Sequence, residues 1–325
     1  MTEMRPIRKR GSLLERAAES FDFGSVFAAP EGSRAAPIAD DRASPLADMM
    51  PIPVGPLPID GARDIERLRP AVAAAGLAGP GEIARVDRDR LAAMGLLVPG
   101  APVGPLAEEF RLVKRQLLTT ARTISGALGD RSRVVLVCSA NPNDGKTFCA
   151  INLALSLAAE RDTDVILVDG DVSKPDIMSR LGVADGAGLL DALTNPDLPI
   201  ENCVVSTDIA GLRLLPAGTR SNHDTELLAS DRTAALLNAL AGVNPRRIII
   251  IDSPPILAAS PAAALAHHAG QALLVVRADH TCDSDLRDAV NLLDGCAHVQ
   301  LVLNAVTFAA RRRHFGSYYG QESLA

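Results

Sequence analysis

The sequence predicts an α/β fold, a mostly parallel β-sheet with helices on both faces, preceded by a largely disordered N-terminal region. Three observations carry this expectation. Near-continuous runs of Val, Ile and Leu, such as the four isoleucines at 248–251, read as strands buried on both faces, which helix-covered parallel sheets provide and half-solvated antiparallel sheets do not. These runs alternate with segments whose apolar residues recur at helical spacing, the order of a sheet wound with helices. Residues 133–147, Arg-Val-Val-Leu-Val-Cys-Ser-Ala-Asn-Pro-Asn-Asp-Gly-Lys-Thr, carry one such strand straight into a tight turn and then an apolar helix.

In chain order, residues 1–105 differ in kind from the rest. Pro, Ala and Gly dominate 28–105, with Pro51, Pro53, Pro56 and Pro58 crowded together, so regular structure cannot persist and the stretch reads as linker. Two amphipathic segments interrupt it. Residues 12–21 place Ser12 and Glu15 at capping-box spacing, and 82–97 repeat apolar residues at helical intervals; each either docks on a partner or forms only transient helix. A compact domain is expected over 106–308. It opens with a helix over 106–127, then the strand 134–139 and a long apolar helix reaching Ala159. Short apolar runs bounded by polar, Gly or Pro residues place further strands at 164–169, 212–216, 247–252, 272–277 and 299–304. Helical patterns fill the intervals at 188–193, 225–241, 258–269 and 284–296. Residues 309–325 read as a flexible tail holding Arg311, Arg312 and Arg313 and the only two tyrosines, Tyr318 and Tyr319. No internal repeat is visible.

Composition excludes several classes of function. At 325 residues, with 47% hydrophobic residues, the chain can build a substantial core, and a formal charge of −6 gives no general affinity for nucleic acid. The five cysteines have no paired spacing and read as reduced residues of a cytoplasmic protein; the six histidines form no ligand pattern. Basic residues open the chain, but Glu15 and Arg16 interrupt any apolar stretch behind them, so no signal peptide is expected. The longest stretch free of Asp, Glu, Lys and Arg, 253–276, contains Pro254, Pro255 and Pro261 and reads as loop, helix and buried strand rather than a membrane span. A membrane role would come through a partner.

The turn at 140–147 points to a nucleoside triphosphate. A tight strand-to-helix loop turns several backbone N–H groups toward one point, where a polyphosphate replaces the water they would bind. Lys146 would reach the β- and γ-phosphates and the Thr147 hydroxyl would hold Mg²⁺, the arrangement of a P-loop NTPase. Only four lysines occur in the chain, so Lys146 is unlike its background. Ala140 stands where the pattern ordinarily has its first glycine, so the loop entry must tolerate a Cβ. Two further strands end in acid: Asp169 and Asp171 lie at alternate positions beyond one, and Asp252 ends another. If both strands neighbour 134–139, the three carboxylates converge on the metal and γ-phosphate, which phosphoryl transfer requires.

The set resembles the Walker A, Walker A′ and Walker B motifs of the bacterial tyrosine kinases, or BY-kinases, cytoplasmic enzymes related to the MinD/ParA ATPases. The resemblance runs from about Leu106 onward and includes Gly188-Leu-Leu-Asp-Ala-Leu, Leu214-Leu-Pro-Ala-Gly218, Glu226-Leu-Leu-Ala-Ser230 and Val302-Leu-Asn304. It implies an ATP-dependent protein-tyrosine autokinase with ATP and Mg²⁺ as cofactors. Lys146, Asp169 and Asp171 would be catalytic, with Asp169 as general base; Thr147, Asp169, Asp171 and Asp252 would serve the metal. The nucleotide would be held by Asn141, Pro142, Asn143, Asp144, Gly145, Lys146, Thr147 and Phe148. Asn304 would read the adenine edge or simply form a turn. The resemblance is closest to the exosortase-associated tyrosine autokinases of exopolysaccharide loci, through Ser12-Leu-Leu-Glu-Arg-Ala-Ala and through Leu91-Ala-Ala-Met-Gly-Leu leading into Ala107-Glu-Glu-Phe-Arg-Leu-Val-Lys-Arg115.

In that family an E-x-x-R-x-x-R pattern closes a ring of subunits, which implies Glu108, Arg111 and Lys114 as oligomer contacts of a homo-oligomer. The lysine cannot make an arginine's bidentate contact, and a solvated charged face explains the same residues. The resemblance further implies Tyr318 and Tyr319 as phosphoacceptors labelled in trans. It implies control of exopolysaccharide synthesis or export through a membrane chain-length-determinant activator, with recruitment to the inner membrane face, a protein-tyrosine phosphatase as counterpart and no nucleic acid. Two alternatives stand beside it: a MinD/ParA-type ATPase, disfavoured because Asn141 replaces an extra lysine, and a nucleotide-driven assembly scaffold without kinase activity.

Overall fold

A computed structural model describes residues 83–306. The expectations for the segment 12–21, the proline-rich linker, Arg311 to Arg313, Tyr318 and Tyr319 lie outside the described residues. In chain order the elements are α1 (Arg88–Ala93), α2 (Pro105–Leu128), β1 (Val134–Ser139), α3 (Lys146–Ala158), β2 (Asp164–Asp169), α4 (Ile177–Leu181), α5 (Leu189–Thr194), β3 (Val205–Ser206), β4 (Leu212–Leu215), α6 (Asp224–Ala229), α7 (Asp231–Gly242), β5 (Arg247–Asp252), α8 (Ser260–Ala266), β6 (Gln271–Arg277), α9 (Asp283–Asn291) and β7 (Val299–Asn304).

The seven strands form one sheet in the order β3-β4-β2-β5-β1-β6-β7, and every pairing is parallel except that of β3 with β4. Side chains alternate across the sheet. Val134, Leu136 and Cys138 of β1 enter a core shared with α5 to α9, while Val135 and Val137 enter a second core shared with α1 to α4. Both faces of β1, β2 and β5 are therefore buried, which is why those strands read as unbroken apolar runs.

Three expectations need correction. The domain begins ahead of Leu106: Ala84 joins the sheet edge through backbone bonds with Ser206 and Asp208. Asp87 caps α1 by accepting from the Arg90 N–H at 3.0 Å, and Val86, Leu91 and Leu96 are buried in the second core. The helix expected over 225–241 is two helices, because Ser230 takes an extended conformation (ψ 155°) between α6 and α7. There the Leu227 carbonyl accepts from the Ser230 N–H, the Ser230 hydroxyl and the Thr233 hydroxyl, local bonds that compete with helix continuation. Finally, β5 alone of the two acid-bearing strands neighbours β1; β2 lies one strand further out. The register nevertheless sets Asp169 opposite Asp252, and Asp252 opposite Val137, so the three strand ends are level.

Candidate functional site

Parallel strands bring the loops after β1, β2 and β5 to one edge of the sheet. The loop from β1 into α3 reverses through two left-handed residues, Asn143 (φ 66°) and Gly145 (φ 99°). The left-handed φ of Gly145 favours glycine, and a Cβ there would lie 2.1 Å from Asn304 Nδ2 and displace that side chain from the loop. Ala140 is buried in the first core, where its methyl group packs under the loop entry. The Ser139 hydroxyl donates to the Asn141 carbonyl at 2.8 Å, and Asp144 Oδ2 accepts from the Asn141 N–H at 3.0 Å. Asn304 Nδ2 donates to the Asp144 carbonyl at 2.9 Å and Arg277 Nη1 to the Asn143 carbonyl at 3.0 Å. Lys146 starts α3, whose first N–H groups lack helical partners and carry partial positive charge, favouring an anion.

A cavity of about 250 Å³ opens beside this loop, lined by Asn143, Gly145 to Phe148, Asp171, Lys174, Asp176 and Arg180. A larger groove of about 720 Å³ lies where the strands begin, lined by residues such as Val103, Leu155 and Ile209; it shares no lining residue with the loop. The carboxylates lie at the loop. Lys146 Nζ is 3.4 Å from Asp171 Oδ2, whose other oxygen accepts from the Ser173 hydroxyl and the Lys174 N–H. Asp169 Oδ2 accepts from the N–H groups of Asp176 and Ile177, both at 3.0 Å. Gly170 separates the two acids and donates to the Asp252 carbonyl at 2.8 Å; a Cβ there would lie 2.6 Å from that carbonyl oxygen.

Burial sets the electrostatics. Desolvation pushes Asp252 up to about 7, with the charges of Asp169 and Asp171 adding to it and the Thr147 hydroxyl and Lys146 opposing it. Asp169 is pushed up to about 6, again first by burial, against the two N–H bonds it accepts. Asp169 Oδ1 and Asp252 Oδ1 are buried with no hydrogen bond. Buried, unsatisfied carboxylate oxygens are costly, and two of them beside a threonine hydroxyl suit a hard divalent cation that keeps some of its waters. Among the described residues no three His, Cys, Asp or Glu side chains converge as a direct metal-binding cluster, so Thr147, Asp169, Asp171 and Asp252 would serve such a metal chiefly through its waters.

The remaining expected residues fall in different places. Pro142 and Asn143 are exposed on the loop, and Phe148 is half-buried against the second core. Asn304 is committed to bracing the loop. Glu108 and Arg111 form an ion pair with each other. Lys114, expected beside them on an outer face, is buried instead: Nζ donates to the Ser156 carbonyl at 2.7 Å and pairs with Glu160 at 2.7 Å. Each three-residue step falls about 60° short of a full turn, so from Glu108 to Lys114 the direction drifts by about 120°, which brings the lysine to the side of α2 that faces α3. Sequence reasoning missed Asp176 and Arg180, which line the cavity and pair with each other; their i,i+4 spacing was the available signal. It also missed Arg277, His280 and Asp285, which reach the loop from the end of β6 and the segment that follows it, with no local signal.

Comparison with known proteins agrees with this geometry. A family model described as an AAA domain matches residues 132–295. The chain is 31% identical over 229 residues to "Putative tyrosine-protein kinase EpsB" of Ralstonia nicotianae, covering 70% of this chain and 29% of that protein. It is 25% identical over 229 residues to "Putative tyrosine-protein kinase CapB" of Staphylococcus aureus, covering 70% of this chain and 96% of that one. The chain thus spans under a third of EpsB and nearly all of CapB. The kinase domain of the Escherichia coli tyrosine kinase ETK shares the fold, with a TM-score of 0.56 at 21% identity over 74% of this chain and 93% of that one. The chain belongs to the AAA domain family and, within it, to the bacterial tyrosine kinases.

Proposed function

We propose that the chain is an ATP-dependent protein-tyrosine autokinase whose acceptors are Tyr318 and Tyr319. The observation that carries this reading is the pair of unpartnered buried oxygens, Asp169 Oδ1 and Asp252 Oδ1, level with each other beside Lys146 and Thr147. Asp169 Oδ2 is occupied by the Asp176 and Ile177 N–H groups, so Oδ1 is the oxygen left for the reaction. Mg²⁺ would supply charge neutralisation between the β- and γ-phosphates. Lys146, released from Asp171, draws off the charge that accumulates on the departing ADP. Asp169 accepts the tyrosine hydroxyl proton through Oδ1 as the new O–P bond forms and the bond to the β-phosphate oxygen breaks. Its position near 6 leaves it mostly ionised at neutral pH yet more basic than a solvated aspartate, the compromise a general base needs.

The wider reading follows the family names. The chain would act in an exopolysaccharide locus of the exosortase-associated type, assemble as a homo-oligomeric ring, and answer to a membrane chain-length-determinant activator and a protein-tyrosine phosphatase. None of the described helices is long and apolar enough to cross a membrane, so recruitment from the cytoplasm would rest on that activator. The test incubates purified protein with Mg-ATP and the activator's cytoplasmic peptide, then maps phosphotyrosine by mass spectrometry. Label on Tyr318 or Tyr319 that is lost in Lys146→Met supports the kinase. ATP hydrolysis without phosphotyrosine would replace it with a positioning ATPase, and nucleotide-dependent rings with neither activity with a scaffold.

A further inference from the structure

Asp144 is the member of the phosphate loop whose charge the proposed reaction does not use. Its side chain is fully buried, a carboxylate beneath a loop that would hold a polyphosphate. Oδ2 accepts from the Asn141 N–H, Oδ1 has no hydrogen bond, and the ion-pair partner of Oδ1 is His280 Nδ1 at 3.3 Å. His280 is half exposed, in the turn between β6 and α9. That turn is built and fastened to the loop. The His280 and Thr281 N–H groups donate to the Arg277 carbonyl, and the Thr281 hydroxyl accepts from the Arg277 N–H. Arg277 Nη1 reaches the Asn143 carbonyl, and Asn141 Nδ2 donates to Asp285 Oδ2 at 2.7 Å.

We infer that His280 is a positioning residue for the phosphate loop: when charged, its imidazole supplies the counter-charge to Asp144, so the unaltered chain binds nucleotide more tightly than a variant lacking the imidazole, by a margin present only where the imidazole is protonated. The inference rests on the nucleotide-binding part of the proposed function. An uncompensated buried carboxylate repels phosphate in a weakly screened setting, and an imidazolium at ion-pair distance offsets that repulsion. The other charged groups around this pair are Asp285, Arg277, Asp279 and Lys146. Asp285 is held below the usual carboxylate range, first by Asn141 and in part by His280, so it shares the imidazolium with Asp144. Arg277 and Lys146 carry hydrogen-bond and ion-pair partners of their own. Imidazole is the side chain whose charge ordinarily changes between pH 5 and 8. Asp169, Asp252 and the phosphates also titrate near there, and are the same in every variant compared below.

The measurement is the dissociation constant of Mg-ADP by calorimetry at about pH 6 and about pH 8, either side of the imidazole range. At the lower pH, His280→Gln is expected to bind about threefold more weakly than the unaltered chain, the size of effect a half-exposed ion pair supports. At the higher pH the two coincide. His280→Lys keeps the tighter binding at both. In an Asp144→Asn background, changing His280 alters nothing at either pH. Parallel profiles for the unaltered chain and His280→Gln would overturn the inference alone, since a merely structural histidine costs the same at both pH values. Absence of Mg-ADP binding in the unaltered chain would overturn the nucleotide reading and this inference with it. If Asp144→Asn does not fold, the Gln and Lys variants at exposed position 280 decide the matter.

Discussion

Asp169 and Asp252 are acids that the fold holds at a cost. Both are raised above the ordinary aspartate value by burial, to about 6 and about 7. A group whose folded value is raised adds stability in its protonated form; that contribution is complete below about pH 4 and is lost as pH rises through 6 and 7. Without metal, these two sites therefore weaken the domain between pH 4 and 7. For Asp252 the loss is up to about 4 kcal/mol. Asp252→Asn should raise the metal-free melting temperature relative to the unaltered chain, by a margin that widens between pH 5 and 8, and should abolish stabilisation by Mg²⁺. A margin independent of pH would mean that Asp252 is not buried as a charge. The unaltered chain should gain more from Mg²⁺ at pH 8 than at pH 6, because at the lower pH the metal must displace protons. Gly170→Ala tests the same site through sterics. Its Cβ would meet the Asp252 carbonyl oxygen at 2.6 Å and the Ile251 side chain at 2.8 Å, so β2 and β5 must part where the acids align. The expected loss is about 1–3 kcal/mol of stability in urea titration, with Mg-nucleotide affinity falling further than stability alone explains.

At the scale of elements, the strands and the phosphate loop were legible because burial on both faces leaves an unbroken apolar run, as at 248–251, and because Gly145, Lys146 and Thr147 must follow a strand directly. The acids were legible as strand ends, though the order β2-β5-β1 was not. What stayed hidden has physical reasons. The helical spacing of the segment around α1 was legible, but its union with the sheet edge through the Ala84 backbone and the burial of Val86, Leu91 and Leu96 were not, because its Pro- and Gly-rich neighbours made it read as linker. Leu91→Ala should then cost about 2–5 kcal/mol, the range for a fully buried leucine, whereas a linker leucine would cost almost nothing; chemical denaturation separates the two. Lys114 stayed hidden because charge spacing along α2 cannot say which lysine turns inward. Its loss leaves the Ser156 carbonyl without that donor, so Lys114→Ala should lower the stability of the monomer by about 1–3 kcal/mol. Arg111→Ala, at a half-exposed pair, should change stability by less than about 1 kcal/mol and show itself only in assembly by sedimentation. Equal stability losses would return Lys114 to the outer face.

For the whole molecule, the decisive relation is between the phosphate loop and the route toward the tyrosines. Asn304, the last residue of β7, bonds the Asp144 carbonyl, and Val306 follows two residues later, so the chain leaves the described domain beside the proposed reaction centre. Tyr318 comes about a dozen residues further on, a length that spans at most about 40 Å. Reach alone therefore permits a tyrosine to meet its own subunit's site, and trans labelling has to come from assembly. Parallel packing leaves β7 at the sheet edge, and Leu301 and Leu303 there are more than half exposed, so the edge strand that ends at Asn304 is open to a second subunit. Trans transfer makes two commitments. The initial rate of autophosphorylation rises with the square of protein concentration below saturation, and mixing a Lys146→Met chain that keeps its tyrosines with a Tyr318→Phe, Tyr319→Phe chain that keeps its lysine places label on the former. Label confined to unaltered chains, at a rate per molecule that does not change on dilution, would show that the tyrosines are served in cis and that any ring has another purpose.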